Sequence, residues 1–238
     1  GFIPINPRTG NTCWSFCNLN DINGGACTTK EKFFEACENA AILGTLQASY
    51  TDMPFLGSDT KELIELESLI GVSITGIMDN PQVFINAETL QAGAKIVNET
   101  NEKIAKLIGI NPAARTATVK PSGNASVLLQ TSSGIHSAHS KKYFRIVQMN
   151  KNNDVAKAIA KINPIMLENS IWNTSGTDYA IFIPIRENEE VLTKDKITDS
   201  EFLGIVNLVF ENWVLPGTHT DRGYSKYITH NVSNTITV

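Results

Sequence analysis

Strand-like and helix-like segments alternate along this chain, and that order limits the fold more than any other feature. Trp14 to Ile22 is a short apolar run closed by the turn residues Asn23-Gly24-Gly25, the pattern of a strand and its turn. Thr28 or Thr29 then caps a helix over Lys30 to Ser49, whose positions Phe33, Phe34, Cys37, Ala40, Ala41, Gly44, Thr45 and Ala48 recur at helical spacing. Lys61 to Leu69 reads as a second helix. The β-branched run Ile70-Gly71-Val72-Ser73-Ile74-Thr75-Gly76-Ile77-Met78 follows as a buried strand.

Asn86 to Ile108 is the strongest helix, with Leu90, Ala94, Val97, Ile104 and Leu107 near one stripe and Gly109 as its stop. Further strands are expected at Thr116–Lys120, Tyr143–Met149 and Tyr179–Ile185, and a last one over Val232–Val238. Helices are expected at Asp154–Ile162 and from Thr198 or Asp199 to Gly217. This succession is the signature of α/β architecture with parallel strands. About five strand–helix units fit the length, and no Pro/Ser/Gly linker divides it, so residues 1–238 read as one continuous domain piece.

The 238 residues are 42% hydrophobic and 18% charged, enough apolar material for a substantial core. The net charge of -4 and the absence of a basic block argue against a nucleic-acid footprint. No apolar run is long enough for a membrane span. The four cysteines, Cys13, Cys17, Cys27 and Cys37, cluster in the first 40 residues without CxxC spacing, which fits neither a disulfide scaffold nor a zinc site. A reducing cytosolic setting is expected. Position 1 is not Met and the last residues read as a strand that stops, so a missing remainder is expected at both ends.

Three segments offer chemistry. In Thr118-Val119-Lys120-Pro121-Ser122-Gly123-Asn124-Ala125-Ser126 a strand ends at Lys120, Pro121 sets a turn, Ser122 can cap, and Gly123 lets backbone approach a ligand. Free amides at a helix start bind anions, yet neither GxxxxGK[ST] nor GxGxxG is present. Read alone, an ordinary capped turn serves as well. Cys17 lies on an apolar strand four residues after Cys13, so on an ideal strand both face one way. A buried structural thiol is the plainer reading. The polar loop Gln130–His139 holds His136 and His139, three apart, without a nearby carboxylate or thiol to complete a metal site.

Taken together and in order, these blocks resemble the class II, adenosylcobalamin-dependent ribonucleotide reductases. The resemblance rests on Phe16-Cys17-Asn18-Leu19-Asn20-Asp21-Ile22, Gly44-Thr45-Leu46-Gln47-Ala48-Ser49-Tyr50-Thr51 and Gly71–Pro81. It extends through Gly109–Thr116, Lys120–Ser126, Ser133-Gly134-Ile135-His136 and His230–Thr235. It implies the second, five-stranded parallel half of a ten-stranded α/β barrel.

It also implies a chemistry. A cysteine thiyl radical generated with adenosylcobalamin takes the ribose 3′-hydrogen, and two further cysteines then supply electrons while the 2′-hydroxyl leaves as water. Residue by residue, Cys17 matches one of those redox cysteines. Pro121, Ser122, Gly123, Asn124, Ala125 and Ser126 match the loop that holds the substrate's phosphates.

The family's Asn-x-Cys-x-Glu finger loop is expected on an N-terminal half or partner chain, together with Cys17's partner. External reductant such as thioredoxin is expected to act through a C-terminal cysteine pair also outside this chain. Asn124 stands where the family commonly has Thr, and Cys13 is outside its pattern, an adventitious disulfide partner for Cys17 at most. The final strand lacks the Tyr-Tyr pair of class I enzymes. The resemblance thus implies a ribonucleoside-triphosphate reductase active only when complete. A non-catalytic nucleotide-binding fragment and a class I or class III fragment are the alternatives.

Overall fold

The computed structural model describes residues 5–236. The chain divides into two compact units, one running through Ala138 and resuming at Glu190, the other His139–Glu189. Composition had offered no linker to mark such a division.

The first unit is built on parallel strands. β1 (Asn18–Asn23) pairs with β2 (Ile70–Thr75) in parallel, Asn18 opposite Ile70 and Asn23 opposite Thr75. The ladder continues through single bridges, Val72 to Ala117 and Val119 to Val232, both parallel. Backbone bonds from Val72 N to Thr116 O (2.8 Å) and from Ser233 N to Val119 O (2.9 Å) carry it across. The order is therefore β1, β2, residues 116–120, residues 231–233. Of the expected final strand the described residues show a single bridge, at Val232, and residues 237 and 238 lie outside the described part.

The helices form where capping and apolar spacing place them. Thr29 caps α1 (Lys30–Ala48) by accepting from Lys32 N, and α1 buries Phe33, Cys37, Ala40, Ala41, Gly44, Thr45 and Ala48. α2 (Gly57–Glu67) and the short turn α3 (Pro81–Phe84) flank β2. Asn86 caps α4 (Ala87–Ile108), and Gly109 ends it in the left-handed conformation at φ 77°. The buried stripe of α4 is Leu90, Ala94, Val97, Asn101 and Ala105, and Leu107 is exposed. Asn101 can be buried because both ends of its amide are used: Nδ2 donates to Thr45 Oγ1 and Oδ1 accepts from Ala113 N, each at 2.9 Å. After α5 (Gly123–Leu129), the unit resumes past Glu190 with α7 (Asp199–Val209), entered by a Thr198/Glu201 capping box.

Ile70, Val72, Ile74, Ala117, Val119 and Val232 join Phe33, Phe84, Leu90 and Trp213 in the main core. Phe33 meets Phe84 edge-on at 5.1 Å, and Trp213 Nε1 donates to Thr118 O at 3.0 Å.

The second unit corrects the expectation of five parallel strands. α6 (Asp154–Ile162) forms as the sequence predicts. However, β3 (Lys142–Asn150) and β5 (Asp178–Arg186) pair antiparallel, with β4 (Leu167–Asn169) on the other side of β5. The physical reason lies in their faces. β2 is buried at every residue, as a strand covered on both sides must be, whereas β3 alternates exposed and half-buried residues throughout. That alternation belongs to a sheet with one face in water, which is the antiparallel habit. The described residues contain five named strands in two sheets, so the half-barrel of five parallel strands is not what they form.

Candidate functional site

β2 presents Ile70, Val72 and Ile74 to the helices, so its alternate residues Gly71, Ser73 and Thr75 line the opposite face. Each of these three small residues receives a different part of the chain.

The Cys17 sulfur lies over Gly71. A Cβ on Gly71 would come within 2.6 Å of Cys17 Sγ and 2.5 Å of Leu19 Cδ2, so a larger residue there would push the thiol and Leu19 aside. β1 starts at Asn18, and residues 13–17 are not strand, so the ideal-strand argument linking Cys13 and Cys17 does not apply. Cys13 instead packs with Leu63, Tyr224 and Ile228. Burial pushes the Cys17 thiol up to about 11, against the pull of the nearby positive charges of Lys120 and Arg115. At neutral pH the group is a protonated thiol.

Ser73 holds the end of the neighbouring strand, its Oγ accepting from Lys120 N at 3.1 Å. Thr75, fully buried, holds the loop that follows. Its Oγ1 is hydrogen-bonded to Ser122 Oγ, donates to Ser132 O (3.1 Å) and accepts from Gly134 N (3.0 Å). Gly134 sits at φ 57°, and a Cβ there would lie 2.4 Å from Lys120 O, a backbone atom that cannot yield. Buried Asp79 completes the support by accepting from Ser132 N (3.1 Å) and Ser132 Oγ (2.5 Å). Burial raises its pKa, and the two Ser132 bonds oppose that.

Of the six loop residues singled out by sequence, Pro121, Gly123 and Asn124 are exposed, Ser122 and Ala125 half-buried, and Ser126 buried. The helix starts at Gly123, directly after Ser122. Ser122 occupies the N-cap position but makes no side-chain cap bond, because its hydroxyl is engaged with Thr75. Ser126 Oγ donates to Gly123 O at 2.9 Å, and Ala125 N donates to Ser122 O at 2.8 Å. Gly123 N and Asn124 N, at the first two helical positions, have no intrahelical acceptor. Gly123 is exposed, and outside its own neighbours nothing lies within 4 Å of where its Cβ would be.

The two histidines of the polar loop part company. His136 uses both ring nitrogens, Nδ1 with Ser133 O and Nε2 accepting from Thr235 N, each at 2.9 Å, and so braces the last segment. His139 belongs to the second unit, edge-on to Tyr143.

His230, just before the last bridged strand, is buried with Nδ1 against Ala117 O at 3.2 Å. Burial, reinforced by the positive charges of Arg115 and Lys120, pulls its pKa to about 3. The unfolded chain takes up this proton below about pH 6.5 and the folded chain does not. The stabilisation is therefore fully present above pH 6.5 and is lost as pH falls toward 3. Between pH 6.5 and 5 the expected loss is about 2 kcal/mol. Urea unfolding at the two pH values, with His230→Gln as the comparison, measures it. An equal slope in both proteins would show that His230 is not the source.

A crystal structure of a B12-dependent (class II) ribonucleotide reductase superposes on this chain with a TM-score of 0.63 over 83% of its residues, at 17% identity. The chain shares the fold of the class II ribonucleotide reductases. A curated relative, a probable adenosylcobalamin-dependent ribonucleoside-triphosphate reductase of Dictyostelium discoideum, is 25% identical over 162 residues, or 65% of this chain. The resemblance read from the sequence is thus borne out by both. No family profile matches the chain. The chain spans 20% of the length of the curated relative and 31% of the solved structure.

Adenosylcobalamin is the cofactor these relatives are named for. His136 has both nitrogens engaged and His230 is buried, and no group of three or more His, Cys, Asp or Glu side chains gathers among the described residues. No residue is assigned to it, and what this chain contributes is derived without it.

Proposed function

We propose that this chain is the substrate-holding and electron-delivering part of a ribonucleotide reductase that acts on ribonucleoside triphosphates with adenosylcobalamin as radical source. One observation carries the reading: the Cys17 thiol and the Ser122 loop lie on the same face of β2, over Gly71 and Thr75. Those two residues are four positions apart, about 13 Å along a strand. That spacing suits a nucleotide whose phosphates rest on the amides of Gly123 and Asn124 while its ribose reaches the thiol. Pro121, Ala125 and Ser126 shape that turn.

In the proposed reaction Cys17 and a second thiol, outside these residues, each give one electron and one proton. The ribose carbon loses its 2′-hydroxyl and gains hydrogen, the hydroxyl leaves as water, and the two sulfurs end as a disulfide. A thiol held protonated is suited to this, because it delivers electron and proton from one site. The disulfide is then reduced by an external dithiol such as thioredoxin. The radical cysteine and its helpers, in an Asn-x-Cys-x-Glu loop, are assigned to the N-terminal half or a partner chain.

The test is reduction of a ribonucleoside triphosphate by the complete enzyme, this chain joined by the segment bearing Asn-x-Cys-x-Glu, with a dithiol present. Deoxyribonucleotide is expected only when adenosylcobalamin is added. Product without it would point to a class I or class III radical source, and nucleotide binding without product to a non-catalytic module.

A further inference from the structure

We infer that Thr75 is the positioning residue of the phosphate loop and that Ser122 serves it as a clasp instead of contacting phosphate through its proton. The inference rests on the proposed substrate reading and follows from counting protons. A threonine hydroxyl has one proton and two lone pairs. The Ser132 carbonyl can only accept, so the Thr75 proton goes there. The Gly134 amide can only donate, so it takes one lone pair of Thr75 Oγ1. In the third contact Thr75 must accept, and Ser122 is the donor.

The consequence reaches the ligand. The Ser122 proton is committed to Thr75 and the Ser126 proton to Gly123 O, so neither hydroxyl in the loop has a hydrogen left for a phosphate oxygen. What remains are the amides of Gly123 and Asn124 and the Asn124 side chain. Their direction depends on how residues 121–123 leave the strand, and Thr75 sets that. It binds the start of the loop at Ser122 and its return at Ser132 and Gly134 through one buried oxygen. These partners lie 47, 57 and 59 residues away in sequence.

The experiment uses the complete reductase with Thr75→Val, Thr75→Ser, Ser122→Ala and the double variant Thr75→Val/Ser122→Ala. Affinity for the ribonucleoside triphosphate is measured by equilibrium binding, beside KM and kcat, with the thermal midpoint as a folding check. Thr75→Val and Ser122→Ala should each weaken binding roughly tenfold or more, the scale of a charge-assisted hydrogen bond set out of line. The loss should fall on KM. The double variant should be no worse than the weaker single, since both break one clasp. Thr75→Ser should restore affinity.

If Thr75→Val does not fold, Ser122→Ala against Thr75→Ser carries the comparison. Wild-type affinity in Thr75→Val or Ser122→Ala, or additive losses, would overturn the inference while leaving the phosphate reading intact. A wild-type enzyme with no affinity for the triphosphate would overturn both.

Discussion

Replacing Cys17 by Ser in the complete reductase abolishes multiple turnover. The expectation follows from where the sulfur is and from the proposed reaction. The thiol lies over Gly71, on the face that also carries the Ser122 loop, and burial keeps it protonated at neutral pH. Serine fits the same space, so the fold and the loop should be kept, but oxygen cannot form the disulfide that closes the electron count. Product should stop at no more than about one deoxyribonucleotide per site however much dithiol is supplied. Counting product per enzyme under excess substrate measures this. Cys13→Ser, which alters a thiol packed with Leu63, Tyr224 and Ile228, is the comparison and should sustain turnover. Sustained turnover in Cys17→Ser would remove the residue from the reaction.

The second large effect is on stability. Arg115 and Glu67 form an ion pair at 2.6 Å with both side chains almost wholly buried, 2% and 1% exposed. Arg115 Nη1 also donates to Ile228 O, and Glu67 Oε1 accepts from Tyr224 N, so the pair ties α2 and the strand at residues 115–119 to the C-terminal segment. Arg115→Met leaves the Glu67 carboxylate in a dry site without its counter-charge. Breaking a buried pair in this way costs about 3–5 kcal/mol. Urea denaturation should therefore show a large drop in the midpoint. The double variant Arg115→Met/Glu67→Leu should recover much of it, because the penalty belongs to the orphaned charge more than to the lost attraction. A drop below about 1 kcal/mol in the single variant would mean that water reaches the site.

Much of the first unit was legible. Capping at Thr29 and Asn86 and the spacing of Phe33, Cys37, Ala41 and Leu90, Ala94, Val97 are local signals, and they place α1 and α4 within a residue of where they occur. The strand at Ile70 was legible too, and its letters alternate in size. Ile, Val and Ile face the helices while Gly, Ser and Thr face Cys17, the end of the neighbouring strand and the Ser122 loop, a period-two pattern visible in the letters. Cys17 and the Pro121–Ser126 loop entered through resemblance, since a thiol before a strand and a Ser-Gly turn are each common.

Sequence by itself determined where α1, β2, α4, β3, α6 and β5 form, because capping, turn residues and apolar periodicity act over a few residues. It did not determine the pairing of β3 with β5, since strand direction is set by which backbone lies alongside and which face meets water. Nor did it single out Thr75, an ordinary residue at the end of a strand. Only the tertiary structure brings Ser122, Ser132 and Gly134 to one buried oxygen. A hydroxyl's role is decided by the donors and acceptors that surround it, and here these come from residues 47 to 59 positions along the chain.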